Sequence, residues 1–126
     1  MATLGSVGPT LLRSLVTKRD LRIDFLRGFA VLAMVVDHIE AQLAALGLEA
    51  DAVRRFWLHQ ANLKMNQLIA KQVLGRVPDE DEAPVILDTY ANTSSAGCVI
   101  AFHLHRDDLQ PGDTGVLCSF GAGYSI

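Results

Sequence analysis

Three places in this chain put polar groups where they could hold a developing negative charge. His59 follows the apolar run Phe56-Trp57-Leu58, Asn92 sits in the turn Tyr90-Ala91-Asn92-Thr93-Ser94, and Gly121-Ala122-Gly123 makes a Gly-rich bend. An imidazole N–H and a carboxamide N–H can donate to the same oxygen of an enolate or oxyanion. A Gly-rich bend can turn a backbone N–H inward as a further donor. Asn62 and Asn92 each precede a helical pattern, so helix N-termini add favourable partial charge. Each feature also has a plainer explanation. A histidine after a strand is commonly a turn residue, asparagine before a helix is commonly its cap, and Gly-x-Gly is commonly a tight turn. Lys64 reads as a solvated charge. His103-Leu104-His105 with Asp107 and Asp108 does not make a metal site, because residues two apart on a helix face different ways. No metal or cofactor is expected.

For the three places to act together, the fold must deliver them to one edge. Leu11 to Ile39 and then Ile39 to Leu48 read as helix, the second with Ile39, Leu43 and Leu46 at helical spacing. Phe56-Trp57-Leu58 reads as a buried strand, and Asn62 to Leu74 as an amphipathic helix with Met65, Leu68, Ile69 and Val73 on one face. Asn62 is its N-cap and Gly75 its C-terminal stop. Val85-Ile86-Leu87 predicts a second strand. Ser95 to Arg106 predicts a helix aligned on Ala96, Val99, Ile100, His103 and Leu104, and Gly115 to Phe120 a third buried strand. The order is a helical segment followed by β-α-β-α-β, an α/β arrangement with crossovers. In open α/β sheets, sites gather at the carboxyl ends of the strands, where His59, Asn92 and the Gly bend all fall.

Composition narrows the class. The 126 residues are half hydrophobic with 20% charged, suiting one small globular domain. A net charge of −3 argues against nucleic acid as a partner. Arg13, Lys18, Arg19, Arg22 and Arg27 crowd the first segment, while Asp79-Glu80-Asp81-Glu82 forms an acidic run later. Cys98 and Cys118 lie in apolar surroundings and read as reduced, buried thiols of a cytoplasmic protein. Neither is expected near a helix N-terminus, where a thiolate would be favoured. The apolar run Gly28 to Val36 is shorter than the ~20 residues a bilayer-spanning helix needs. Its basic leader lacks the pattern of a signal peptide.

The segment Phe56 to Asn62 resembles the His-Gln-Ala-Asn motif of the β-ketoacyl-acyl-carrier-protein synthase III family, and Tyr90 to Ala96 resembles their Gly-Asn-Thr-Ser motif, with Ala91 where glycine is usual. Leu109 to Asp113 is similar to the turn before their last core strand, and Phe120 to Gly123 to their closing Gly-rich motif. Order and spacing agree across 39–126. The resemblance implies a partial thiolase-like fold and an acyltransferase of fatty-acid type. It implies that His59 and Asn92 stabilise the enolate formed when a malonyl thioester loses carbon dioxide. It assigns the Ala122 N–H, flanked by Gly121 and Gly123, to the acyl oxyanion. Asn62 would support the site and Lys64 would meet the carrier protein or its phosphopantetheine arm. Acyl-CoA or acyl-carrier-protein thioesters are the implied substrates. The family's nucleophilic cysteine lies well upstream of the His motif, and nothing here matches it. A cysteine-bearing partner half or self-association is therefore expected, as is marginal stability.

Lys18 to Leu32, with Asp24-x-x-Arg27-Gly28 and then Asp37-His38, resembles instead the start of multi-pass membrane acyltransferases that modify periplasmic glucans. Residues 1–38 are thus expected to have a separate origin, joined near Asp37 to Glu40. Membrane contact through residues 11–38, and an inner-membrane location, are the alternative to a cytoplasmic one.

Overall fold

The computed structural model describes residues 20–121. Leu21–Ala45 forms one unbroken helix, α1, where the sequence predicts two segments. It begins where the Asp20 carboxylate accepts the Arg22 N–H at 2.9 Å, an N-cap, and ends at Leu46 and Gly47. Its only buried residues are Val35, Ile39 and Leu43, spaced four apart on one face. That face packs on α2, Leu63–Leu74, through Ile69, Ala70 and Val73. The predicted caps of α2 are present. The Asn62 carboxamide accepts the Met65 N–H at 2.9 Å, and Gly75 adopts φ +67°. Leu68, expected on the packed face, is exposed.

A 3-10 turn at Ala50–Ala52 leads to β1, Arg55–Trp57, every residue of which is buried. It pairs in parallel with β2, Gly115–Leu117, in the register Arg55 to Gly115 and Trp57 to Leu117. The β1 and α2 elements and the parallel sheet make a mixed α/β arrangement behind an N-terminal helix, as expected of a partial thiolase-like fold. The strand β2 is shorter and more exposed than predicted. Its partner among the described residues is β1 alone, so Leu117 stays half in solvent.

The predicted strand Val85-Ile86-Leu87 is absent. The segment does run beside β1, and Phe56 N–H donates to the Glu82 carbonyl at 2.7 Å. Pro84, however, has no N–H to give a ladder. The side chain of Gln60, fully buried, takes over the pairing. Its Nε2 donates to the carbonyls of Leu58 and Pro84, and its Oε1 accepts the Ile86 N–H at 3.1 Å. The chain then turns into a short helix, α3, Leu87–Tyr90.

Of the residues predicted to align on helix α4, Ala96–Leu104, Ile100 packs on the core but Val99 and Leu104 are exposed; the buried residues are Gly97, Cys98 and Ala101, with Phe102 partly buried beside them. Small residues let its backbone approach closely. A Cβ on Gly97 would lie 2.7 Å from Gln60 Cβ. Trp57 meets Phe102 edge to face, with centroids 4.9 Å apart.

Arg55, 3% exposed, fastens the loops to this centre. It donates to both Asp108 carboxylate oxygens at 2.7 and 2.8 Å and to the carbonyls of Asp81 and His105. This bidentate pair holds the Asp108 carboxyl far below the usual carboxylate range. Glu82 is held in a similar way. It accepts two hydrogen bonds from Arg76, at 2.8 and 2.6 Å, and one from the Asp79 N–H, and its pKa falls to about 2. Depressed carboxylates stabilise the fold fully above their unfolded pKa, about 4.3 for Glu. That contribution is lost as pH falls from there toward 2. Urea midpoints should therefore drop across this window, and Glu82→Gln should flatten the drop. An unchanged pH slope in Glu82→Gln would count against the pairing.

Candidate functional site

His59 leaves the carboxyl end of β1 and is buried, 6% exposed. Its ring lies against Phe120, which follows β2, with centroids 4.3 Å apart and planes at 37°. Burial pushes its pKa down, so at neutral pH the imidazole is uncharged and has one N–H to donate. Its Nδ1 is buried without a hydrogen-bond partner.

Asn92 lies in the loop after α3 and is exposed. Its Oδ1 accepts the Ser94 N–H at 2.9 Å, closing a local turn. With the oxygen engaged, the amide nitrogen is the end left to donate. The preceding Ala91 has φ +55° and ψ −158°, a region that is nearly glycine's alone. Ser94 also has positive φ, at +58°. Ala91→Gly should relieve the strain and raise stability by about 1 kcal/mol, read from the urea midpoint. No gain would show that the turn accommodates Ala91 without cost.

No hydrogen bond joins His59 to Asn92 among the described residues. What connects them is Gln60, which sequence reasoning passed over. It follows His59, clamps Pro84 and Ile86 ahead of α3, and packs under Gly97 after the Asn92 turn. The hydroxyl of Thr93 is buried and unpartnered beside it. Total burial of an amide between two motif loops leaves no trace in composition or spacing. Arg55 was missed for the same reason.

The other expected residues stand as follows. Asn62 is exposed, and its carboxamide oxygen is spent on capping α2. Lys64 is exposed and, with Lys71 and Leu68, lines a groove of about 850 Å³ closed by Val77, Pro78 and Glu80. Neither His59 nor Asn92 lines that groove. Gly121 is exposed, while Ala122 and Gly123 lie outside the described residues. Cys98 corrects one expectation, because it falls in the first turn of α4. Its thiol is nonetheless buried and donates to the Ser95 carbonyl at 3.3 Å. Burial pushes the Cys118 thiol up, against thiolate formation. The two cysteines are not joined by a disulfide.

Residues 43–126 match the family model described as 3-oxoacyl-(acyl-carrier-protein) synthase III, C terminal. The chain belongs to this synthase III family. The chain is 62% identical over 96 residues to a beta-ketodecanoyl-(acyl-carrier-protein) synthase of Pseudomonas aeruginosa, covering 76% of this chain and 27% of that protein. It is 40% identical over 96 residues to a synthase III of Roseiflexus castenholzii, covering 75% and 28%. With the synthase III of Gloeobacter violaceus it shares 39% over 99 residues, covering 77% and 29%. The chain thus spans under a third of the length of these synthase III relatives. Residues 19–51 also match a model described as OpgC protein. Helix α1 runs through that match without a break.

Proposed function

We propose that this chain supplies the enolate-stabilising half of a condensing-enzyme site. In that reaction the bond from the malonyl α-carbon to its carboxylate breaks and carbon dioxide leaves. The electron pair moves onto the thioester oxygen. The N–H groups of His59 and Asn92 donate to that oxygen; the α-carbon then attacks the carbonyl of an acyl-cysteine thioester, and its C–S bond breaks to release the cysteine thiolate. The cysteine belongs to the other half of the fold, which this chain would meet as a separate partner, since a second copy of the chain carries no matching cysteine. Asn62, Lys64 and the Gly121-Ala122-Gly123 bend would complete the site, with acyl-CoA or acyl-carrier-protein thioesters as substrates and the cytoplasm as its place. The observation that carries the reading is His59. A neutral, buried imidazole with an unpartnered nitrogen stands at the carboxyl end of β1, in a loop that Gln60 ties to the Asn92 segment.

The test is a chimera in which residues 43–126 replace the matching segment of the Pseudomonas relative. His59→Ala and Asn92→Ala should each lower carbon dioxide release from a malonyl thioester by about a hundredfold. Undiminished release in both variants would remove the assignment. A second reading, a non-catalytic fragment, draws support from the buried Cys98 and the partly buried Cys118, whose thiol is pushed up by burial. It predicts that the chain by itself gains no acyl adduct, by intact mass, when incubated with an acyl-CoA.

A further inference from the structure

The helix α1 is divided by its environment. From Val31 onward one face packs on the core against α2. Before Val31 the helix has no buried residue, and Leu21, Ile23, Phe25, Leu26 and Phe29 are all exposed, Phe25 at 73% and Phe29 at 60%. At about 100° per residue these five side chains spread over more than half the circumference. That spread separates the candidate occupants. A second copy, or any single docked protein surface, covers one stripe of a helix. A stretch apolar over most of its circumference suits a solvent that is itself apolar. Charge points the same way, because Lys18, Arg19, Arg22 and Arg27 outweigh Asp20 and Asp24 over this part of the sequence, a net charge of +2. Anionic lipid headgroups attract such a cluster.

Length decides the mode. Leu21 to Ala30 rises about 15 Å, short of the ~30 Å hydrocarbon core. The rest of α1 is held against the core by Val31, Leu32, Val35, Ile39 and Leu43 and cannot extend the span. We infer that the first half of α1 embeds in the surface of an anionic bilayer without crossing it, while its second half keeps the domain docked. This placement is independent of the condensing reaction proposed above.

The full chain should sediment with vesicles of phosphatidylglycerol and phosphatidylcholine, and at least tenfold less with phosphatidylcholine alone. A Phe25→Glu/Phe29→Glu variant, altered only at exposed positions, should keep the wild-type far-UV spectrum and urea midpoint and lose sedimentation at least tenfold. Three results would overturn the inference. One is wild-type chain left in the supernatant with both vesicles. Another is sedimentation that the double variant retains. The third is a dimer in gel filtration that the double variant breaks and that vesicles do not compete with.

Discussion

Gly115→Ala is expected to cost about 3 kcal/mol or more, the upper range for overpacking a core, and to leave the chain largely unfolded. The added Cβ would stand 2.2 and 2.8 Å from two ring atoms of Trp57 and 3.3 Å from the Arg55 carbonyl. The indole has nowhere to go. It is buried in a small cluster with Ile86 and Ala101 and held edge to face by Phe102. The backbone cannot withdraw either, since Arg54 N–H to Thr114 and Cys118 N–H to Trp57 fix the strand at both ends at 2.8 and 3.0 Å. A domain of this size buries a modest share of its surface, so its reserve of stability is small. Far-UV dichroism and Trp57 fluorescence through a urea titration read the result. A midpoint within about 0.5 kcal/mol of wild type, the range of ordinary surface substitutions, would mean the strands are less closely joined than described.

Gln60→Leu should cost nearly as much, about 3 kcal/mol, because each buried group left unpaired costs about 1–3 kcal/mol. Leucine matches the size of the side chain but not its bonding. The Ile86 N–H and the Pro84 carbonyl would lose the partner that Gln60 now gives each. Hydrogen exchange distinguishes this from general loosening. In Gln60→Leu the Ile86 amide should exchange with the fastest loop amides even where β1 stays protected. Gln60→Glu keeps an acceptor for Ile86 and, while protonated, one donor in place of the two bonds Gln60 donates. It should therefore fall between wild type and leucine at acid pH and drop further as the buried carboxyl ionises. Unaltered exchange at Ile86 in the leucine variant would refute the clamp.

Periodicity and capping chemistry made much of the frame readable. The helix from Leu63 to Leu74, its Asn62 cap and its Gly75 stop follow from local chemistry that tertiary contacts do not override. The parallel strands followed from short apolar runs separated by crossover-length segments. What local pattern could not give was the replacement of a strand by a side chain. Val85-Ile86-Leu87 has strand composition, yet Pro84 next to it and the Gln60 amide, more than twenty residues away, decide its conformation. The face of α4 was read only in part, since Ile100 packs as aligned, but apolar residues ring the helix and close approach to Gln60 buries the small ones. Motif order singled out His59 and Asn92, and Ala91 in a place where glycine is usual pointed to its positive φ. Their mutual placement was not legible, because it depends on the clamp between the loops.

The two edges of the β1–β2 pair are unequal. On the far side of β1 the Glu82 carbonyl and the Gln60 carboxamide already occupy the backbone and side-chain positions that another strand would need. On the far side of β2 no described strand stands, and Leu117 is half in solvent. An open strand edge templates further pairing. The sheet can therefore lengthen in one direction only. A strand added at that edge would lie beside Gly115 to Leu117, a short way along the chain from Phe120, which stacks on the His59 ring.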